Sequence, residues 1–105
     1  MSKKLHMERV HSCCCVICWK KLGEVRFGVH AHHAGEASDR DDYALVALCP
    51  EHHQGATGIH GMHRRGFHRF WKTTDIQLLA WTQEALYKYG ALATRNQGYA
   101  VEEDA

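Results

Sequence analysis

The spacing of apolar positions changes several times along the chain, and each change predicts an element. Val25 and Phe27, then Val29 and Ala31, alternate with polar neighbours. That alternation predicts two short strands over Glu24–His33, broken at Gly28. Ala34–Asp42 holds glycine, serine and the acids Glu36, Asp39, Asp41 and Asp42, and reads as a loop. Tyr43–Leu48 is apolar and fits a short extended segment. Pro50 suits the first position of a helix running through His53. Gly55, Gly58 and Gly61 predict a flexible loop after it. A short helix is expected from about His63 to Trp71, and a longer one from Asp75 to Tyr89, with Thr74 as N-cap and Gly90 as the stop. Ile76, Leu79, Ala80, Gln83, Leu86 and Tyr87 fall near one stripe of that last helix and should face the core. The polar residues 1–12 read as a loosely held basic arm, 13–90 as one α+β domain, and 91–105 as a frayed tail.

The chain has 105 residues, enough for one domain with a small core. A core of that size often needs a metal or disulfides to support it. Five cysteines and ten histidines exceed what packing requires. The odd cysteine count argues against a complete disulfide framework, the opening residues do not resemble a signal peptide, and no apolar run approaches the ~20 residues of a membrane span. Together these features predict a cytoplasmic protein without a membrane partner, whose reduced thiols are available to metal.

The net charge of +1 conceals an uneven distribution. Lys3, Lys4, Arg9, Lys20, Lys21 and Arg26 load the first quarter. Between Glu51 and Asp75 no acid occurs, while Arg64, Arg65, Arg69 and Lys72 all fall there. Basic clusters flanking a histidine-rich centre suit a polyanion such as DNA, although a charged solvated surface has the same composition.

Two constellations carry chemistry. Cys15-Val16-Ile17-Cys18 is a CxxC, and Cys49-Pro50-Glu51-His52 is a CxxH. Ligands three residues apart share one tight turn, so two such pairs can close a tetrahedral structural zinc site. His53 competes with His52 for that role, and Cys13 or Cys14 with Cys15. The second constellation is His30-Ala31-His32-His33, with His53 and His60 beyond it. Adjacent strand residues point to opposite faces, so one of His32 and His33 can bind metal while the other meets substrate. Metal-assisted phosphodiester hydrolysis needs that division: an ion to stabilise charge and a neutral imidazole to take a proton from water.

Cys15-x-x-Cys18, Val29-His30-Ala31-His32-His33 and Leu48-Cys49-x-x-His52-His53 resemble the ββα-metal fold of HNH endonucleases. Gly58-Ile59-His60-Gly61 extends the resemblance to the phage Ref-type recombination-enhancement nucleases. It covers about Cys15 to Tyr87. The resemblance implies a small ββα-metal core with a zinc knuckle and C-terminal helices, in a bacterial or phage-encoded DNA endonuclease. Carried over by position, His33 becomes the general base, and His32 and His53, with His60 as a third, ligate a catalytic Zn²⁺, Mg²⁺ or Mn²⁺. Cys15, Cys18, Cys49 and His52 become the ligands of the structural Zn²⁺, with Cys13 and Cys14 as spare thiols. The asparagine characteristic of the family is missing near Leu45, and Asp42 is the nearest polar residue to orient His33. Arg64, Arg65, Arg69 and Lys72 would contact DNA, as would His63 and His68, with Phe70 and Trp71 in the core. The Ref-type resemblance also suggests a RecA filament as a partner. A rival class, a non-catalytic zinc-binding DNA module, uses the same cysteines and histidines but has no need of His33. A metal buffer or redox protein would instead hold several loosely bound ions and lack DNA affinity.

Overall fold

The computed structural model describes residues 2–90. Its elements run α1 (Lys3–His11), α2 (Val16–Leu22), β1 (His30–His33), β2 (Leu45–Leu48), α3 (Pro50–Gln54), α4 (Arg64–Trp71) and α5 (Asp75–Ala85). A short 3₁₀ turn, Ala37–Asp39, interrupts the loop between the strands, and a wide helical turn, Leu86–Gly90, comes after α5. The class is α+β. No helix among the described residues is long and apolar enough to cross a membrane. The tail over 91–105 lies outside the described residues.

The stretch expected to be a loose arm is a helix. Ser2 caps α1, its hydroxyl accepting from Leu5 N–H at 3.0 Å. Val10 is fully buried. Met7 packs against the core as well, and side chains reach neighbouring loops: His6 Nε2 lies 3.0 Å from the Tyr43 carbonyl, and His11 Nδ1 lies 3.0 Å from that of Val29. Tertiary contacts of this kind stabilise a helix whose own sequence shows no apolar stripe.

β1 and β2 form a two-stranded antiparallel ladder, with His30 opposite Leu48 and His33 opposite Leu45. Of the two strands expected on either side of Gly28, the first, over residues 24–27, does not form, and the second forms from His30. Val25 and Phe27 are exposed there, and the segment is tied to the start of α2 by Cys15 N–H donating to the Arg26 carbonyl at 2.9 Å.

All four residues of β2 are buried, because α1, α2, α3 and α5 pack around it. The outer edge of β2 meets α5 through Thr82. The Thr82 hydroxyl accepts from Ala47 N–H at 3.2 Å and donates to the Leu78 carbonyl at 2.9 Å. An edge amide that would otherwise stay unpaired is satisfied in this way. Thr74 caps α5 as expected, its hydroxyl accepting from Gln77 N–H at 3.0 Å. The buried face of α5 is Leu78, Thr82 and Ala85, continued by Leu86; of the predicted stripe only Leu86 is buried, and Leu79 packs partly against the core. Ile76 and Tyr87 are 78% and 77% exposed. A buried threonine at the centre of the true face hid it from a hydrophobicity pattern.

Candidate functional site

The starts of α2 and α3 come together, and each supplies two side chains that could hold a metal. Cys15 is the N-cap of α2, its sulfur 3.5 Å from Cys18 N–H. Gly23 ends the helix at φ 70°, a left-handed conformation that glycine adopts without strain. Cys49 is the N-cap of α3, and Pro50 opens its first turn. His52 then falls three residues after Cys49.

Cys15, Cys18, Cys49 and His52 are all buried, with ligand atoms within 4.8 Å of one another, close enough to bind one metal ion. His52 Nδ1 lies 3.5 Å from Cys15 Sγ, 3.5 Å from Cys18 Sγ and 3.3 Å from Cys49 Sγ. Cys18 Sγ lies 3.9 Å from Cys49 Sγ. A tetrahedral ion with bonds of about 2.3 Å to sulfur and about 2.0 Å to nitrogen requires sulfur–sulfur edges of about 3.8 Å and sulfur–nitrogen edges of about 3.5 Å. The pocket therefore has the size and donor set of a closed, zinc-like site. Burial raises the pKa of the Cys15 and Cys18 thiols, and the negative charge of neighbouring thiolates adds to the rise. Burial lowers that of His52. A cation would supply the positive charge that thiolates in this position lack. Trp71 closes the site from α4. Its ring meets the His52 ring edge-on at 5.1 Å, and its Nε1–H donates to the Thr57 carbonyl at 3.0 Å. Cys13 and Cys14 are buried next to the quartet but do not belong to it.

A second group forms on the other side of α3. His32, His53 and His60 bring one ring nitrogen each within 4.8 Å of one another. Their ring centres are 4.7–5.3 Å apart. His32 is buried, His53 half-buried and His60 exposed, so this group opens to solvent where the cysteine site is closed. Backbone pairing places His60. α3 is short, and its spare carbonyls are taken by the loop after it: Ile59 N–H donates to His52 at 3.0 Å and His60 N–H to His53 at 2.9 Å. The glycine loop is accordingly a packed turn, not the flexible one expected. A Cβ on Gly58 would stand 2.6 Å from the Glu51 carbonyl oxygen and 2.8 Å from the backbone carbon of His53.

Burial lowers the pKa values of His32 and His53 to about 4, and the other imidazoles of the group add to the effect. Both rings are therefore neutral near pH 7, as metal ligation requires. His32 Nε2 is buried and makes no hydrogen bond. An orphan of that kind ordinarily costs about 1–3 kcal/mol, and an ion would give it a partner.

His33 points to the opposite face of β1. Its Nε2 lies 3.1 Å from Asp42 Oδ1, and Lys3 Nζ approaches Asp42 Oδ2 at 3.5 Å. The His33 bond, and after it Lys3, lowers the Asp42 pKa. The carboxylate accepts from Nε2–H, which leaves Nδ1 with its lone pair. His32, His33, Glu36, Arg40 and His60 line one cleft of about 280 Å³. An adjoining cleft of about 240 Å³ shares His32, Glu36 and His60, and adds His63 and Arg64. Arg40 and Glu36 belong to the cleft but carry no signal in the sequence, where residues 34–42 read only as a loop.

The basic residues expected to meet DNA divide into two sets. Arg65, Arg69 and Lys72 are exposed. Arg64 turns inward, to Asp75 at 2.9 Å and to Glu36 at 3.3 Å. His68 is fixed between Thr73 and Asp75, at 2.8 Å from each, so it braces the start of α5 and does not face a phosphate. Phe70, expected in the core, is 55% exposed, whereas Trp71 is half-buried. The chain matches no protein-family model, no curated protein and no solved structure.

Proposed function

We propose that this protein is a metal-dependent DNA endonuclease of the HNH, or ββα-metal, type. The observation that carries this reading is the shared cleft. Two of the three imidazoles that can hold an ion, His32 and His60, line the same space as a fourth histidine, His33, which is paired to a carboxylate. The order β1, β2, α3 supports it, with His32 and His33 at the end of the first strand and His53 on the helix. Cys15, Cys18, Cys49 and His52 hold a structural Zn²⁺ that joins α2 to α3. His32, His53 and His60 hold the catalytic ion. Three imidazoles favour Zn²⁺ or a neighbouring transition metal over Mg²⁺, which prefers oxygen ligands.

His33 acts as the general base. Asp42 fixes its tautomer, so that Nδ1 takes the proton from the attacking water. The ion, when bound, supplies charge stabilisation at the scissile phosphate and the leaving oxygen. Arg40, which is exposed and lines the cleft, meets a flanking phosphate. Arg65, Arg69 and Lys72 extend the same contact along the backbone, so affinity falls as salt rises. DNA carrying a RecA filament is the proposed setting in bacterial or phage recombination.

The test is nicking of supercoiled plasmid with Zn²⁺, Mn²⁺ or Mg²⁺, with and without RecA filaments. The parent chain should cut, and His33→Ala should cut about 10²–10⁴-fold more slowly while keeping its metal. No cleavage under any of these conditions would leave a non-catalytic zinc-binding DNA module as the better description. Equal cleavage by His33→Ala would remove His33 from the role of base.

A further inference from the structure

His30 belongs to neither metal-ligand group, yet it makes a short side-chain contact with one of them. It stands two residues before His32 on β1, so both side chains leave the strand on the same face. Its Nδ1 lies 2.8 Å from Nδ1 of His53, with the ring centres 5.0 Å apart and the planes at 78°. A contact that short between two ring nitrogens needs a proton between them, one nitrogen donating and the other accepting. Two nitrogens on one tetrahedral ion would instead be about 3.3 Å apart. His30 also stands outside the trio whose ligand atoms gather within 4.8 Å.

We propose that His30 is the positioning residue of the three-histidine centre: it accepts Nδ1–H of His53 and so turns Nε2 of His53 toward the ion. The inference rests on the proposed occupancy of that centre by metal. A ligating histidine generally gives its second N–H to a carboxylate or a backbone carbonyl, which fixes the ring and the tautomer. His30 takes that place with a neutral imidazole. β1 thereby contributes three histidines with three tasks: His30 holds a ligand, His32 is a ligand, and His33 faces the substrate side with Asp42.

The experiment is calorimetric titration with Zn²⁺ of the full chain whose cysteine site is already loaded, comparing the parent with His30→Ala and His30→Asn. Asparagine places an amide oxygen close to where Nδ1 stood. His30→Ala should bind the second Zn²⁺ about 10–100-fold more weakly and retain the first, whereas His30→Asn should recover most of the loss. Long-range ¹H–¹⁵N spectra of the loaded parent should show His53 protonated at Nδ1 and ligating through Nε2. If the parent takes two ions and His30→Ala takes the second as tightly, His30 has no positioning role, although the centre itself stands. Equal loss in the alanine and asparagine variants, or ligation through Nδ1 of His53, also overturns the proposal. A parent that takes only one ion removes both this inference and the proposed catalytic centre.

Discussion

Adjacent histidines on this chain are separated by strand and helix geometry, not by sequence distance. His32 and His33 leave β1 on opposite faces, one toward α3 and the other toward Asp42. His52 and His53 leave α3 toward different groups, a buried one of three sulfurs and a solvent-facing one of imidazoles. Protonation separates the two groups further. Burial raises the Cys15 and Cys18 thiols, so an ion must displace their protons, and higher pH favours binding. Burial lowers His32 and His53 to about 4, so neither holds a proton for the ion to displace at neutral pH. Between pH 7 and 8, affinity at the cysteine site should rise about tenfold for each thiol that must give up a proton, while affinity at the three-histidine site stays nearly level. Chelator competition at the two pH values measures both. A cysteine site without pH dependence in that window would contradict the assigned protonation states.

At the scale of elements, the candidate site depends on the glycine loop that leaves α3. The helix has only five residues, and its last carbonyls bind Ile59 and His60, which is how a residue from a glycine loop comes to stand beside His53. Gly58 permits that return by lying against the helix backbone. Gly58→Ala should therefore destabilise the chain by about 1–3 kcal/mol through overpacking and weaken the second metal site more than the first. Denaturant midpoints and metal titration read the two effects, and an unchanged second site would show that His60 is held some other way. Thr82→Val keeps the volume of the buried α5 face but leaves Ala47 N–H without a partner, at a cost of about 1–3 kcal/mol in unfolding free energy. An unchanged midpoint would show that the edge of β2 does not rely on α5.

The same elements show what a sequence can reveal. The CxxC and CxxH pairs were legible because ligand spacing and helix starts are local properties. β2, α3 and the Thr74 cap were legible for the same reason. α1 was not, because it is held by a cap and by side chains reaching loops distant in sequence. The apparent strand over residues 24–27 had the right alternation but no partner to pair with. His30 carried a readable signal, the two-residue spacing from His32, but its partner His53 is 23 residues away. Nothing local indicates that contact.

For the whole molecule, the two proposed centres, with ions bound, would act as clamps on one short helix. Cys15 and Cys18 would fasten the start of α2 to α3, and His32 and His60 would fasten β1 and the glycine loop to its other side. A chain of 105 residues has a small core, so the cysteine site can contribute a substantial part of its folding stability. Because His52 and His53 are neighbours on α3, loss of the buried ion should also disorganise the exposed centre. Native mass spectrometry of the Zn²⁺-equilibrated chain, beside His60→Ala, tests this arrangement most directly. Two ions per parent chain and one per His60→Ala chain are the predicted result. A parent carrying one ion or none, or a variant still carrying two, would contradict it.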